Sequence, residues 1–447
     1  MHLSLCVTRS HFENRHTLFF RHDFLSLIRL LIPTSEYKER ITRCQQFLRR
    51  RELSALIGYS DRRYAMGQGV EVGQLVRYYA GFRFPPQEIH KEEALLPYPR
   101  SQALIIVPDE GDPCLLMSRA DEALVRRQSW IRDVRAINNG YRSEDRLALL
   151  AKLAAKDLAS NGSKKGQRVG IAGVGVPWGL YSALLQQMPR TQFVACTEEV
   201  DKLRMVKSQN ELQILRKAAQ IADAGVEAFY KTAKEGATEY EVHQAVERAM
   251  FDAGGDNPWS VIMSGPRSYI SYISPDFTQR QLKSGDMVHT DIGSEFAGYH
   301  SDIQPVAIIG GPRPGQVSLL RTNAKVLRAM IGATKPGTSE KDVVGAAIES
   351  AKGEPFGNNL RMSLFGHGYG VGLDPPNLTA HTLAKSKASE ITLREKMVLC
   401  YEPGIFVPGV GGTAIEDQVI INQDGCEVMT GCLRHAERLL EEFAAFN

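Results

Sequence analysis

Residues 289–303, HTDIGSEFAGYHSDI, contain two aspartates eleven positions apart. This stretch indicates both the local fold and the position of a functional site. Gly298 lies between these aspartates, Asp291 and Asp302, and predicts a turn that joins two strands into a hairpin. We expect this hairpin to place the two carboxylates opposite each other. Asp291 stands in an apolar run with Val288 and Ile292, so its side chain is expected to be buried.

A second stretch, CYEPGIFVPGVGGTAIEDQV (400–419), repeats the arrangement with two glutamates. Glu402 and Glu416 are fourteen positions apart, and the turn between them is rich in proline and glycine. One histidine, His367, lies in FGHGYGVG (365–372), where glycines let the backbone approach a ligand closely. Buried carboxylates are normally paired with a cation or bound to a metal.

Together these five residues predict a site for two divalent metal ions. Carboxylates neutralise and bridge the cations, and an imidazole adds a borderline-soft donor. Two metals about 3.5–4 Å apart can activate a water molecule and polarise a carbonyl near neutral pH. Taken singly, Asp302 has an alternative role as a turn residue, His367 as a core histidine and Glu402 as a surface residue. The presence of all five in short motifs favours the metal site.

The composition is typical of a globular protein. Of 447 residues, 43% are hydrophobic and 23% are charged, and the net charge of +3 gives no indication of a nucleic-acid partner. This length favours two domains. Seven cysteines are scattered without a CxxC pair, which favours reduced thiols in the cytoplasm. No stretch is apolar enough to predict a membrane span.

Three regions are predicted along the chain. Residues 1–35 form an N-terminal arm without a signal-peptide layout, which we expect to pack on the protein or on a partner subunit. Residues 36–199 alternate helical and strand-like segments, which predicts a smaller α/β domain. Residues 200–447 begin with helices and end with strand-like segments, which predicts an α+β domain.

Local signals fix several elements within these regions. Residues 36–51 have helical spacing, and residues 102–118 predict a hairpin across DEGD. Capping boxes at Ser208 and Thr238, each with glutamate three positions later, predict two helix starts. A further helix is expected from about residue 341 to residue 352.

These motifs resemble those of the superfamily of creatinase, Xaa-Pro peptidases and methionine aminopeptidase, called pita-bread metallopeptidases. LRMVKSQNELQILRKAA (203–219) resembles the start of the family's catalytic domain, and the aspartate and glutamate motifs resemble its metal-binding hairpins. VRYYAGF (76–82) resembles part of the creatinase-type N-terminal domain. The resemblance implies an α+β pita-bread catalytic domain over 200–447, a creatinase-like α/β domain over 36–199, and a homodimer.

The same resemblance implies a role for each ligand. Asp291 binds one metal, Asp302 and Glu416 bridge both, and His367 and Glu402 bind the other. Manganese is the expected metal, with iron, zinc or cobalt as alternatives, because an oxygen-rich site with one histidine does not select strongly.

The chain departs from the proline-peptidase members at three places. Their histidine before the aspartate hairpin is matched here by Tyr272 or a neighbour in SYISYISPD. Their second histidine, after the HG motif, is matched by Asp374, with Pro375 in place of the next glutamate. Ala414 stands where they carry an arginine. Those histidines hold substrate and carry protons, and a neutral imidazole stabilises a tetrahedral intermediate that an ionised aspartate repels.

Three residues are therefore candidates for substrate handling. Asp374 would be a general base or bind a cationic substrate group, and its alternative is a turn residue before two prolines. Tyr272 would donate a hydrogen bond, and its alternative is a core aromatic. His289 faces the same way as Asp291 on a strand, as a pocket residue or as a packed support for the ligands.

The function predicted from these residues and the resemblance is metal-dependent hydrolysis of an amide or peptide C–N bond. The closest analogy is an Xaa-Pro aminopeptidase or dipeptidase, with a short peptide or a non-peptide small molecule as substrate. The alternative is a lyase of the dimethylsulfoniopropionate type, with Asp374 as base. Metal-free creatinase-like hydrolysis and a non-catalytic binding role are less favoured, because the accessory histidines are missing and all five ligands are present.

Overall fold

The computed structural model describes residues 32–62, 71–72, 74–83, 102–138, 143–160, 167–173, 175–270 and 278–444. Most of the predicted N-terminal arm lies outside these residues. The first described helix begins at Thr34, inside the range predicted for the arm, and extends to Arg50.

The N-terminal region consists of short strands and helices in alternation. Its elements are α1 (Thr34–Arg50), β1 (Ala55–Arg62), β2 (Glu71–Val72), α2 (Leu75–Ala80), β3 (Gln102–Pro108), β4 (Cys114–Ser118), α3 (Glu122–Gln128), β5 (Val134–Ile137), α4 (Ser143–Ser160), β6 (Arg168–Ala172), α5 (Trp178–Gln187), β7 (Gln192–Ala195) and α6 (Thr197–Lys202).

These strands form one mixed sheet in the order β5-β4-β3-β1-β6-β7, with β2 paired to β1. The predicted hairpin between β3 and β4 is confirmed by antiparallel pairing. Helices cover both faces, since Leu56 joins the core with α1 and α2, while Ile57 joins the core with α4 and α5. The predicted boundary between residues 199 and 200 falls within α6 and stays a prediction.

The C-terminal region combines long helices with antiparallel strands. Its elements are α7 (Gln209–Thr232), α8 (Glu239–Asp252), β8 (Asp256–Ser264), β9 (Met287–Phe296), β10 (Tyr299–Ile303), β11 (Val306–Ile308), α9 (Gln316–Ala333), α10 (Glu340–Ala351), β12 (Gly366–Tyr369), β13 (Leu373–Leu378), β14 (Val398–Tyr401), β15 (Gly404–Val407), β16 (Gly411–Ala414), β17 (Asp417–Ile421), β18 (Cys426–Val428) and α11 (Cys432–Glu442).

Three helices in this region begin where the sequence predicts, to within one residue. Ser208 and Thr238 each accept a hydrogen bond from the backbone N–H three residues later, and both capping boxes are complete. The third predicted helix is α10, which Ser339 caps. Such caps satisfy backbone donors that the first helical turn leaves without a partner.

Two antiparallel sheets carry the helices of this region. One contains β10, β9 and β11 with β8 on β9, and the other has the order β13-β12-β14-β17-β18. Gln304 and Glu416 join the sheets through an isolated antiparallel bridge. The five predicted ligands lie where these two sheets meet.

Arginines of the N-terminal region form hydrogen bonds and ion pairs with the β9–β10 hairpin and with the neighbouring strand β8. Arg77 on α2 donates to the carbonyl oxygen of Gly298 at 3.1 Å. Arg83 pairs with Asp256 at 2.5 Å and with Glu295 at 3.3 Å. Burial alone raises the pKa of Glu295, but the neighbouring positive charges outweigh burial and lower that pKa to about 2. Contacts between the regions thus fix the hairpin that carries the aspartates.

Among the described residues, no helix is both long and apolar enough to cross a bilayer.

Candidate metal centre

The two hairpins predicted from the sequence are present, and each carries its carboxylates on neighbouring positions. On β10, Asp302 pairs with Gly293 of β9, so it lies diagonally across from Asp291. The expectation that Asp291 and Asp302 lie directly opposite each other is therefore wrong, because the residue opposite Asp302 is two positions after Asp291. A diagonal pair on one face of a sheet is still close enough for both side chains to share a ligand.

The glutamates flank the turn at matching positions. Tyr401 pairs with Asp417 in one sheet, and Gly404 pairs with Ala414 in another, with the same register. Glu402 and Glu416 lie between these two pairs, at the joint between the sheets, and Glu416 forms its bridge with Gln304.

Three carboxylates form a tight cluster at this joint. Ligand oxygens of Asp291, Asp302 and Glu416 all lie within 4.8 Å of one another. His367 connects the cluster to the remaining glutamate, since its Nε2 lies 3.8 Å from Asp302 Oδ2 and 3.5 Å from Glu402 Oε1. The structure therefore brings all five predicted ligands together.

Several oxygens of this cluster have no hydrogen-bond partner among the described residues. They are Asp291 Oδ1, Asp302 Oδ1 and both carboxylate oxygens of Glu416. Each of these atoms is buried, and a buried acceptor without a donor is costly. Such a set of oxygens, together with one imidazole, fits two divalent cations and is hard to explain otherwise.

The electrostatics of the cluster support the same interpretation. Burial raises the pKa of Asp302 to about 6, with the charge of His367 opposing and that of Glu402 adding to the rise. Burial and the surrounding carboxylates also raise the pKa of Asp291 and Glu416 well above the usual range. Cations at this position would offset both the burial and the repulsion that raise these pKa values.

Glu402 differs from the other carboxylates because one of its oxygens already has donors. Arg361 donates to Glu402 Oε2 at 2.8 Å, and Gln304 Nε2 donates to the same oxygen at 3.3 Å. Sequence reasoning missed both donors. Gln304 follows Asp302 by two positions, which was an available signal, whereas Arg361 lies 41 positions before Glu402 in a loop.

His289 belongs to this group of polar contacts. Its Nε2 lies 3.3 Å from Gln304 Oε1, and the ring is 5.2 Å edge-on from that of Phe406. Burial lowers the pKa of His289 to about 4, so the ring is neutral near pH 7. These contacts favour the packed, supporting role over the role of a pocket residue, and a catalytic role for His289 stays a prediction.

Asp374 is buried and faces two cations. Its Oδ2 lies 2.7 Å from Lys207 Nζ, and its Oδ1 lies 3.0 Å from Arg204. Both partners belong to the segment that joins the two regions of the chain. This arrangement favours an anchoring role for Asp374, and its role as a base stays a prediction.

Tyr272 lies outside the described residues. Ala414 is fully buried in β16, across from Gly404. Cys400 is a residue that sequence reasoning missed: its thiol lies within 4.8 Å of ligand atoms of His367 and Glu416. Its position two residues before Glu402 on a strand was the available signal.

Comparison with known proteins identifies the two regions. The C-terminal region matches the model of metallopeptidase family M24 over residues 213–423. The N-terminal region matches the creatinase/prolidase N-terminal domain over residues 40–206. An Xaa-Pro dipeptidase of Pyrococcus horikoshii is 30% identical over 269 residues, which cover 58% of this chain and 74% of that protein.

The chain belongs to metallopeptidase family M24. An Xaa-Pro dipeptidase of Pyrococcus furiosus is 32% identical over 243 residues, which cover 54% of this chain and 67% of that protein. In structure, this M24 protein is similar to the prolidase from Pyrococcus horikoshii OT3, with a TM-score of 0.70, 23% identity and coverage of 88% of this chain and 98% of that one.

These findings confirm the predicted fold class, in which a creatinase-type N-terminal domain precedes a pita-bread catalytic domain. They also confirm that this M24 protein is a metal-dependent hydrolase of the peptidase type. Members of the family are dinuclear metal enzymes. The lyase alternative is not favoured.

Proposed function

We propose that this M24 enzyme hydrolyses short peptides, with Xaa-Pro dipeptides as the first substrates to test. The relatives named as Xaa-Pro dipeptidases support this choice of substrate. The observation that carries the proposal is the set of buried oxygens without partners on Asp291, Asp302 and Glu416. Bound cations would account for all of these atoms at once.

Asp291 would hold one metal, His367 and Glu402 would hold the other, and Asp302 and Glu416 would hold both. When bound, the metals would supply a nucleophilic water and polarise the scissile carbonyl. Mn²⁺ is the proposed metal, because the donor set is dominated by oxygen.

The protein supplies orientation and an enclosed site. Arg361 and Gln304 both donate to Glu402 Oε2, which orients that carboxylate. One carboxylate of the site would take the proton of the attacking water and pass it to the leaving nitrogen.

Two changes around the site bear on the substrate. Asp374 is engaged by Lys207 and Arg204, and Ala414 carries no polar group. Both stand where proline-specific relatives place charged or imidazole groups. A dipeptide without proline, or a small amide that is not a peptide, is therefore included in the proposed substrate range.

Two further parts of the proposal concern the state of the protein. We propose a homodimer, as the resemblance to creatinase-type enzymes implies. We also propose a cytoplasmic location, which the six free cysteines among the described residues support.

The test is a substrate panel with protein that carries a measured amount of Mn²⁺. Xaa-Pro dipeptides, Xaa-Pro tripeptides and matched dipeptides without proline are compared by release of free amino acid. We expect cleavage that requires Mn²⁺ and is lost in Asp291→Asn. Protein that holds two Mn²⁺ per chain but cleaves none of these peptides would contradict the proposal.

A further inference from the structure

The two oxygens of Glu402 have different surroundings. Arg361 and Gln304 both donate to Oε2, at 2.8 and 3.3 Å. Oε1 instead faces His367 Nε2 at 3.5 Å. The side chain of Glu402 is 5% exposed, so water contributes little to either oxygen. One oxygen is thus occupied by the protein and the other is directed toward the metal centre.

Arg361 is held firmly in the place from which it makes this contact. Its guanidinium also donates to the backbone carbonyl oxygen of Glu402 at 2.8 Å, and its Nε donates to Leu364 O at 3.3 Å. Its backbone N–H donates to Gly404 O at 2.7 Å. The guanidinium carbon lies 5.7 Å from the centre of the Phe406 ring. These contacts use the fork geometry of arginine, which lysine does not have.

Gln304 is fixed equally well. Its backbone pairs with that of Glu416, and its Oε1 faces Nε2 of the buried His289 at 3.3 Å. The Gln304 amide nitrogen is the atom directed at Glu402, because a carboxylate oxygen accepts hydrogen bonds and gives an amide oxygen nothing to accept. The amide oxygen is left facing His289.

We propose that Arg361 and Gln304 act as positioning residues that make Glu402 a ligand through Oε1 alone. This inference rests on the proposed metal centre and deepens it. A carboxylate with both oxygens free can rotate and chelate one cation, whereas Glu402 is held so that a single oxygen reaches the cation shared with His367. The positive charge of Arg361 would repel the cations of the metal centre, yet Arg361 holds Glu402 in the orientation that binds them.

Charge and geometry predict opposite results for loss of Arg361. If its charge were its main effect, removal would make the centre more negative and Mn²⁺ would bind more tightly. If positioning is its main effect, removal frees Glu402 to rotate and Mn²⁺ binds more weakly. Loss of an outer hydrogen-bond partner typically weakens metal binding by about 10–100-fold.

The experiment compares Mn²⁺ binding to the full chain and to Arg361→Met, Arg361→Lys and Gln304→Leu by calorimetry and by electron paramagnetic resonance. We expect Arg361→Met to weaken one of two Mn²⁺ sites by about 10–100-fold and to reduce the signal of the coupled pair. Arg361→Lys is expected to restore part of that signal. The control is Arg216→Met, which removes an exposed arginine that pairs with Glu427 through two hydrogen bonds.

Wild-type affinity or tighter binding in Arg361→Met would overturn the inference. If Arg361→Met does not fold, Gln304→Leu decides, since it removes the second donor to Oε2 while Arg361 stays, and an unchanged Mn²⁺ affinity there has the same meaning. A wild-type chain that binds no Mn²⁺ would overturn the proposed function as well, and that result is visible before any variant is made.

Discussion

Two buried carboxylates of the catalytic domain, Glu416 and Asp374, have opposite surroundings. Both oxygens of Glu416 are without hydrogen-bond partners among the described residues. Asp374 instead faces two protein cations: its Oδ2 accepts a hydrogen bond from Lys207 at 2.7 Å, and its Oδ1 lies 3.0 Å from Arg204 as an ion pair without a hydrogen bond. A buried carboxylate that is paired within the chain is suited to a structural role, whereas one that is buried without a partner either holds a proton or is suited to bind a cation.

The largest effect in this comparison is expected at Glu416. Glu416→Gln should lower kcat/KM by about 10³-fold or more, because loss of a ligand costs more than the 10–100-fold typical of an outer partner. Mn²⁺ content measured on the same samples should fall, while the unfolding temperature of the metal-free protein does not. Glu427→Gln, on the surface, is the control. Full activity in Glu416→Gln would remove this residue from the centre.

At Asp374 we expect a loss of stability. Asp374→Asn leaves Lys207 buried without a carboxylate, while Arg204 keeps Asp201 at 2.8 Å. Removal of one partner of a buried pair typically costs about 3–5 kcal/mol. Chemical unfolding measures this change. The matched control is Asp252→Asn, which breaks an exposed pair with Arg248 and should leave the stability almost unchanged. If Asp374→Asn keeps its stability but loses kcat, Asp374 is a base after all.

Metal removal should expose the repulsion among the carboxylates of the centre. The pKa of Asp302 in the folded chain is raised from 3.8 to about 6, so the folded form holds a proton there that the unfolded form has lost. The free energy of unfolding of chelated protein should therefore fall as pH rises from about 4 to about 6. Thermal melts of the chelated protein at several pH values measure this fall in stability.

Mn²⁺ should remove this pH dependence, because the cations neutralise the same charges. At pH 7, Mn²⁺ at 100 times its Kd should add about 2.7 kcal/mol of stability. Identical pH profiles with and without Mn²⁺ would show that the carboxylates of Asp302 and its neighbours do not bind it.

A smaller effect is expected at Gly298, where Arg77 of the N-terminal domain contacts the aspartate hairpin. Gly298 has a positive φ of 78°, and a Cβ there would overlap the Arg77 guanidinium. Gly111→Ala is the control, because Gly111 has a φ of 99° and open space around it. Gly298→Ala should cost about 1–2 kcal/mol more than this control, since Arg77 also loses a charge-assisted hydrogen bond. If chemical unfolding shows the same loss of stability in Gly298→Ala and Gly111→Ala, Arg77 does not stabilise the hairpin.

Much of this architecture was predictable because it depends on local signals. The capping boxes at Ser208 and Thr238, the β3–β4 hairpin and the two ligand hairpins all follow from residues a few positions apart. The offset of Asp302 from Asp291 was not predictable, since the spacing of two aspartates does not determine how the strands between them pair.

Partners that are distant in sequence were the part that local patterns missed. Lys207 is 167 positions from Asp374, and Arg361 is 41 positions from Glu402. Neither pair has a spacing that a helix or a hairpin would bring together. The candidate role of Asp374 therefore stayed open between base and anchor until its neighbours were known.

The sequence by itself predicted the five residues of the proposed metal site, because turn glycines and strand alternation place Asp291, Asp302, Glu402 and Glu416 on hairpins, and the HG motif adds His367. Only the tertiary structure decided which of their oxygens are free. Packing brings Arg361 and Gln304 onto one oxygen of Glu402 and leaves Glu416 without a donor. The physical reason is that hydrogen-bond satisfaction in a buried site depends on all the chain segments that meet there, whereas ligand type depends on each residue alone.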